Sequence, residues 1–309
     1  MGNSNSQEER ARSEKQELDR MVRKLSQGPD LRVNKTIRMF TSLNSSYNLT
    51  QHYERSKMGA GGHAAGWMKS LAEKLGALTP APELAGLGAL AIAIIIDNNS
   101  SSPPVVSTKE ALRCVFAEEK ASEVWDLIDE CLKRCVMHIK NKDKLVGEIE
   151  RIEVQLSAAI TRLKNMGHMT SEALKAWVNG AAFHIQMLIH LVRLGGLQSC
   201  DPVERLISAY LNDLDLLFEK HREVIRGKCG CELALTTFWG EDVYQTAFVD
   251  EESKWHCIPL ELSLRWSRYF EVYYDHRYVR QRRDIQQDFT QVKENLQQLV
   301  HQRGSFSIN

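Results

Sequence analysis

Four stretches of this chain carry apolar residues at alternating steps of four and three, and that rhythm dictates helix. The first is Ala121, Trp125, Ile128, Leu132, Cys135 and Ile139. The second is Leu145, Ile149, Ile152, Leu156, Ala159, Leu163 and Met166. The third is Leu174, Val178, Ala181, Ile185, Leu188 and Val192, and the fourth is Val203, Ile207, Tyr210, Leu214 and Leu217. At about 3.6 residues per turn each set falls on one side of a helix, and a repeated three-four spacing favours packing at shallow angles.

The punctuation agrees. Ser107 and Glu110 form a capping-box pattern, and Asp201-Pro202-Val203-Glu204 offers a cap, a first-turn proline and a glutamate in order. Gly167, Gly195-Gly196 and Gly227 stop the runs, while the polar break around Asn141 leaves it open whether the first two helices are one. Short connections after Met166 and Leu194 imply antiparallel neighbours. Trp177, Leu206, Leu211 and Phe218 widen the stripes beyond a narrow seam, which favours a globular bundle over a two-stranded rod. The expected class is mainly α, an antiparallel helical bundle with heptad-like packing across 107–303.

Between Cys229 and Leu260 the period changes to Thr, aromatic and β-branched residues, so a short β-hairpin or an irregular insertion is expected near 229–260. Closing helices follow, with Trp266, Phe270, Tyr273 and Arg277, then Tyr278, Ile285, Phe289, Val292, Leu296 and Leu299. The basic-aromatic run RYFEVYYDHRYVRQRR invites a nucleic-acid reading by stacking and charge. Its aromatics fall at helical spacing, so they are expected inside with the arginines in water, and nucleic acid is not an expected partner.

Upstream of the bundle the chain is patchy. Residues 1–58 read as a basic, partly disordered arm, 59–97 as a Gly/Ala-rich amphipathic and apolar segment, and 98–106 as a Ser/Pro linker. The chain opens MGNSNS, which meets the pattern M-G-x-x-x-[ST] through Gly2 and Ser6, so Gly2 is the expected site of N-myristoylation. A lone myristoyl chain holds a bilayer weakly, with a constant on the order of 10⁴ M⁻¹, so a second signal is needed. Six basic residues between Arg20 and Arg38 (with Arg23, Lys24, Arg32 and Lys35) face one acid, Asp30, and suit an anionic membrane surface. A second candidate is an interfacial stripe of Trp67, Met68, Leu71, Leu75 and Leu78, for which core packing is the competing use.

Leu84 to Ile96 reads LAGLGALAIAIII. A helix of that length spans about 20 Å against a hydrocarbon core of about 30 Å, so it is too short for a single crossing. A buried helix, a re-entrant loop and a membrane-inserting segment stay open.

Forty basic residues balance forty acidic ones, so no global field points to a polyanionic partner. The seven cysteines are irregularly spaced, and no apolar run opens the chain, so reduced thiols and a place at the cytoplasmic face of a membrane and in the cytosol are expected. Cys131, Cys135 and His138 share a helical face and read as core. Cys229, Cys231, His256 and Cys257 are the candidate ligands of a structural zinc that would staple the non-helical insertion; otherwise no cofactor is expected. His184 and His190 lie on different faces of one helix, and His190 reads as a satisfied core histidine. No hydrolase elbow, metalloprotease, phosphate-loop or EF-hand motif occurs. The sequence therefore points to a non-enzymatic, membrane-tethered interaction protein with an unknown protein partner and scope for oligomerisation. The alternative is a membrane-inserting or pore-forming protein using 59–96.

Overall fold

Each of the four rhythmic stretches forms a helix. The computed structural model describes residues 2–59, 85–99, 107–116, 119–238, 241–258 and 266–304, without the side chains of 2–10, 59, 119–120, 233–238, 241–246 and 257–258. The chain is mainly helical, with one small antiparallel sheet of three strands. It divides into two compact units. The first holds Met1–Asp30, His168–Thr170 and Leu216–Asp284; the second holds Leu31–Gly167, Ser171–Asp215 and Ile285–Asn309.

The second unit contains α2 (Lys35–Phe40), α3 (Ser45–Gly59), α4 (Leu87–Asn99), α5 (Thr108–Arg113), α6 (Glu119–Met137), α7 (Lys142–Lys164) and α8 (Ser171–Leu194). Asn141 settles the question of a continuous helix. Its side chain accepts from the Lys144 amide at 3.0 Å and starts α7 afresh. Leu145, Ile149, Ile152, Leu156, Ala159 and Leu163 are all buried, as their spacing requires, and α7 packs between α6 and α8. Ser107 caps α5 by accepting from the Glu110 amide at 3.1 Å.

Helix α8 is buried nearly all round. A helix enclosed on every side must place polar residues inside, and it does so at Asn179, His184, Gln186, His190 and Arg193. Gly180 lets α6 and α7 approach, since a Cβ there would lie 3.1 Å from Val124 and 3.3 Å from Ile160.

Within 1–58 the chain forms α1 (Gly2–Lys24), α2 and most of α3, with 25–34 and 41–44 outside any helix. Leu31, Val33, Ile37, Phe40, Leu49 and Tyr53 are buried in the second unit. Their spacing is too irregular to read as one stripe because three short elements share them. Helix α4 is core: Leu87, Ala89, Leu90, Ile92 and Ile96 are at most 1% exposed, and the helix packs on α3 and α6. An apolar run without an amphipathic face is thus a helix buried over most of its surface, with Ile94 and Ile95 half-buried. Among the described residues no helix is long and apolar enough to cross a membrane. Residues 60–84 and 100–106, which hold most of the expected amphipathic segment and linker, lie outside the described residues.

The first unit contains α1 (Gly2–Lys24), the strands β1 (Gly230–Phe238), β2 (Glu241–Val249) and β3 (Trp255–Ile258), and α10 (Trp266–Tyr274). The expected hairpin is β1–β2, with Phe238 opposite Glu241, and β3 adds to β2. Helix α9 (Asp201–Lys228) contributes residues to both units, as does α11 (Arg280–Glu294); α12 (Leu296–His301) belongs to the second. A π-helical turn, Asp275–Val279, joins α10 to α11. Tyr273, Tyr274, Arg277 and Tyr278, at i, i+1, i+4 and i+5, share one helical face and are all buried.

Candidate functional site

In the first unit the turn after β2 faces the π-helical turn. Tyr273 and Tyr278 both donate to Glu251 Oε1, at 2.9 and 2.5 Å, and Arg277 Nη1 donates to the Tyr273 hydroxyl at 2.7 Å. Arg277 Nη2 reaches Glu252. Arg277 is 3% exposed, so the expectation that the arginines of this run face water fails here. Burial opposes its charge, but Glu252 and Glu251 outweigh burial and hold the guanidinium protonated above its ordinary range.

His221 completes this polar core. Tyr274 donates its only hydroxyl hydrogen to the Phe218 carbonyl at 3.0 Å, so His221 Nδ1, 2.9 Å from the same oxygen, must be the donor. Burial, then the Lys228 charge, push the imidazole down to about 3, so it is neutral.

The residues expected to hold zinc fall on β1, on β3 and just before β1. Across the sheet Cys231 stands opposite Phe248, and Phe248 opposite His256. Two strand spacings of about 4.8 Å therefore separate the Cys231 and His256 backbones, with Phe248 between them. Spacing in sequence gave no access to this register. His256 Nε2 instead meets Asp250 Oδ2 at 2.9 Å. Cys229 is half-buried, and burial with the nearby Glu251 and Asp250 raises its thiol to about 12. The Cys257 side chain lies outside the described residues. Among the described residues no group of three His, Cys, Asp or Glu side chains has metal-binding geometry.

Cys131 and Cys135 are fully buried, and the Cys131 thiol is raised by its contact with Cys135 and by burial. In the second unit His184 bridges Tyr210 and Glu153, at 2.6 Å each. His190 departs from expectation: it is buried, neither nitrogen has a partner among the described residues, and burial, then the Arg193 charge, push it down to about 3. Asp97, at the end of α4, meets His52 Nε2 at 2.7 Å and the Thr108 amide at 2.5 Å. Burial raises its pKa, but these bonds outweigh burial and hold the carboxyl below its ordinary range.

Gly2 heads α1, whose side chains are described from residue 11 onward. Trp67, Met68, Leu71, Leu75 and Leu78 lie outside the described residues. What sequence reasoning missed is a cleft in the second unit, between α2, α8 and α11. It has a volume of about 230 Å³, an apolar floor including Ile37, Ile185 and Phe289, and the Arg38–Asp288 ion pair, at 3.4 Å, on its lining. Gln186, called forth by no motif, lies in its wall.

No protein-family model, curated protein or solved structure matches this chain.

Proposed function

We propose that this is a non-enzymatic, membrane-tethered helical interaction protein, held on a cytosolic leaflet by an N-myristoyl group on Gly2 and a second weak signal. The observation that carries the reading is the placement of the Gly2/Ser6 pattern at the head of α1, whose last turn ends in exposed Arg23 and Lys24. An acyl chain supplies marginal affinity, and each basic residue near an anionic leaflet adds about 1 kcal/mol. The same proposal includes an antiparallel, heptad-like arrangement of α6 to α9, whose outer faces meet a protein partner.

Insertion of 59–96 into a bilayer is the rival. It would strip Leu87 to Ile96 from the core of the second unit and break the Asp97 contacts, which weighs against it.

Intact mass after expression in a eukaryotic host tests the tether. Loss of Met1 plus one C14 acyl group is expected, and Gly2→Ala should move the protein from membranes to the soluble fraction. An unmodified glycine amine, or unchanged fractionation of the variant, defeats it. Release of vesicle-trapped dye would favour the rival.

A further inference from the structure

We propose that the cleft of the second unit binds a small neutral molecule carrying an amide, lactam or urea edge on an apolar body. Its lining contains four carboxamides, Gln186, Asn44, Gln291 and Asn295, and none of these side chains hydrogen-bonds to a described residue. Gln186 is the telling one. It is 7% exposed, projects from the buried helix α8 into the cleft wall, and its carboxamide has no hydrogen-bond partner among the described residues. The carboxamide opens onto the cleft, where an occupant offering both an acceptor and a donor would engage it.

The chemistry of that occupant follows from the donor and acceptor balance. A carboxamide presents donors and an acceptor side by side. An anion engages only the NH₂ groups and leaves the carbonyls bare; a cation does the reverse. An amide or lactam edge answers both at once. The ionic groups do not tip the balance, because Arg38 and Asp288 are paired with each other. Ile37, Ile185, Phe289 and Leu299 offer the remainder of the ligand an apolar surface.

Size is bounded by volume. An apolar cavity of about 150 Å³ accommodates benzene, with six heavy atoms. By proportion, about 230 Å³ accommodates roughly nine non-hydrogen atoms inside the cleft. Larger ligands would extend past Asn44 and Gln291, which are exposed at the rim.

Four probes of equal size isolate the claim: benzamide, benzoate, benzamidinium and isopropylbenzene each have nine non-hydrogen atoms. Binding to the full chain is measured by protein-observed NMR titration. Benzamide is expected to bind in the millimolar range or tighter, with shifts confined to the cleft, and the other three at least tenfold more weakly. Gln186→Leu should weaken benzamide at least tenfold while strengthening isopropylbenzene, a gain that a misfolded protein would not show. Asn295→Ala should weaken benzamide about threefold or more. The proposal is overturned if benzamide fails to bind, if benzoate, benzamidinium or isopropylbenzene matches it, or if Gln186→Leu leaves its affinity unchanged.

Discussion

Arg193 and Gln302 form a two-sided clasp inside the second unit. Arg193 Nη2 donates to Gln302 Oε1 at 2.8 Å, and Gln302 Nε2 turns to the Leu43 and Ser42 carbonyls at 2.8 and 3.1 Å. The other arms of Arg193 reach the carbonyls of Leu299, at 2.7 Å, and Ala85. One buried guanidinium thus ties together the start of α4, the α2–α3 turn and the end of α12. It is an ion bonded to neutral carbonyls, and burial followed by the Arg303 charge lowers its pKa to about 10.

Removal of that clasp is expected to be severe. Arg193→Ala strands several buried acceptors and should destabilise by about 3 kcal/mol or more. Gln302→Ala should cost about 1–2 kcal/mol, and the double variant should fall short of the sum by about 0.5–3 kcal/mol, because the two share one network. Urea unfolding of the three variants measures this; strict additivity would show that the residues act separately.

His190 should be replaceable at a gain. Both its nitrogens lack partners among the described residues, and it is buried. His190→Leu is expected to stabilise the protein by about 1–3 kcal/mol, the desolvation penalty of an unsatisfied polar group. A drop in the urea midpoint would contradict this.

Acid should weaken the fold through two imidazoles. His190 and His221 take up protons near pH 6.5 when unfolded but only near 3 when folded. Between those values the unfolded state binds more protons, so stability falls as pH drops through the window. At about 1.4 kcal/mol per unit, the two together amount to several kcal/mol by pH 4. His190→Leu combined with His221→Asn, which retains an N–H for Tyr274, should flatten the stability curve between pH 6.5 and 4. An unchanged curve would assign the acid sensitivity to other groups.

Asp97 pins the end of α4 to the first turn of α5. Asp97→Ala removes the acceptor for the Thr108 amide and the partner of His52, with an expected loss of about 1–3 kcal/mol. Amide exchange at Thr108 should accelerate more than at the cap of α7. Because its folded pKa is depressed, the carboxylate's contribution is present above the ordinary value of 3.8 and lost as pH falls below it.

Gly180 should tolerate nothing large. Side chains beyond Ala would be driven into Val124 and Ile160 at the meeting of α6, α7 and α8. Gly180→Val is expected to destabilise by about 1–3 kcal/mol despite the added helix propensity of any residue over glycine. Thermal denaturation checks it.

Much of the helical body was written in the sequence. The stripe from Leu145 to Leu163 and that from Val203 to Leu217 are buried position for position, because a period near 3.6 projects onto one face whatever the neighbours are. The hairpin was legible for the same local reason, in the change of period after Cys229. The short helices before residue 60 were not, since six residues such as Lys35–Phe40 show less than two turns of any pattern.

Tertiary structure alone decided the rest. Nothing local states that Phe248 would stand between Cys231 and His256, that Glu251 and Glu252 would meet Arg277, or that Gln186 would reach an open cleft. Local geometry follows from bonds between residues three or four apart, and a sequence displays those directly. Register, enclosure and cavity shape follow from which distant surfaces meet, and that is settled only when the whole chain has packed.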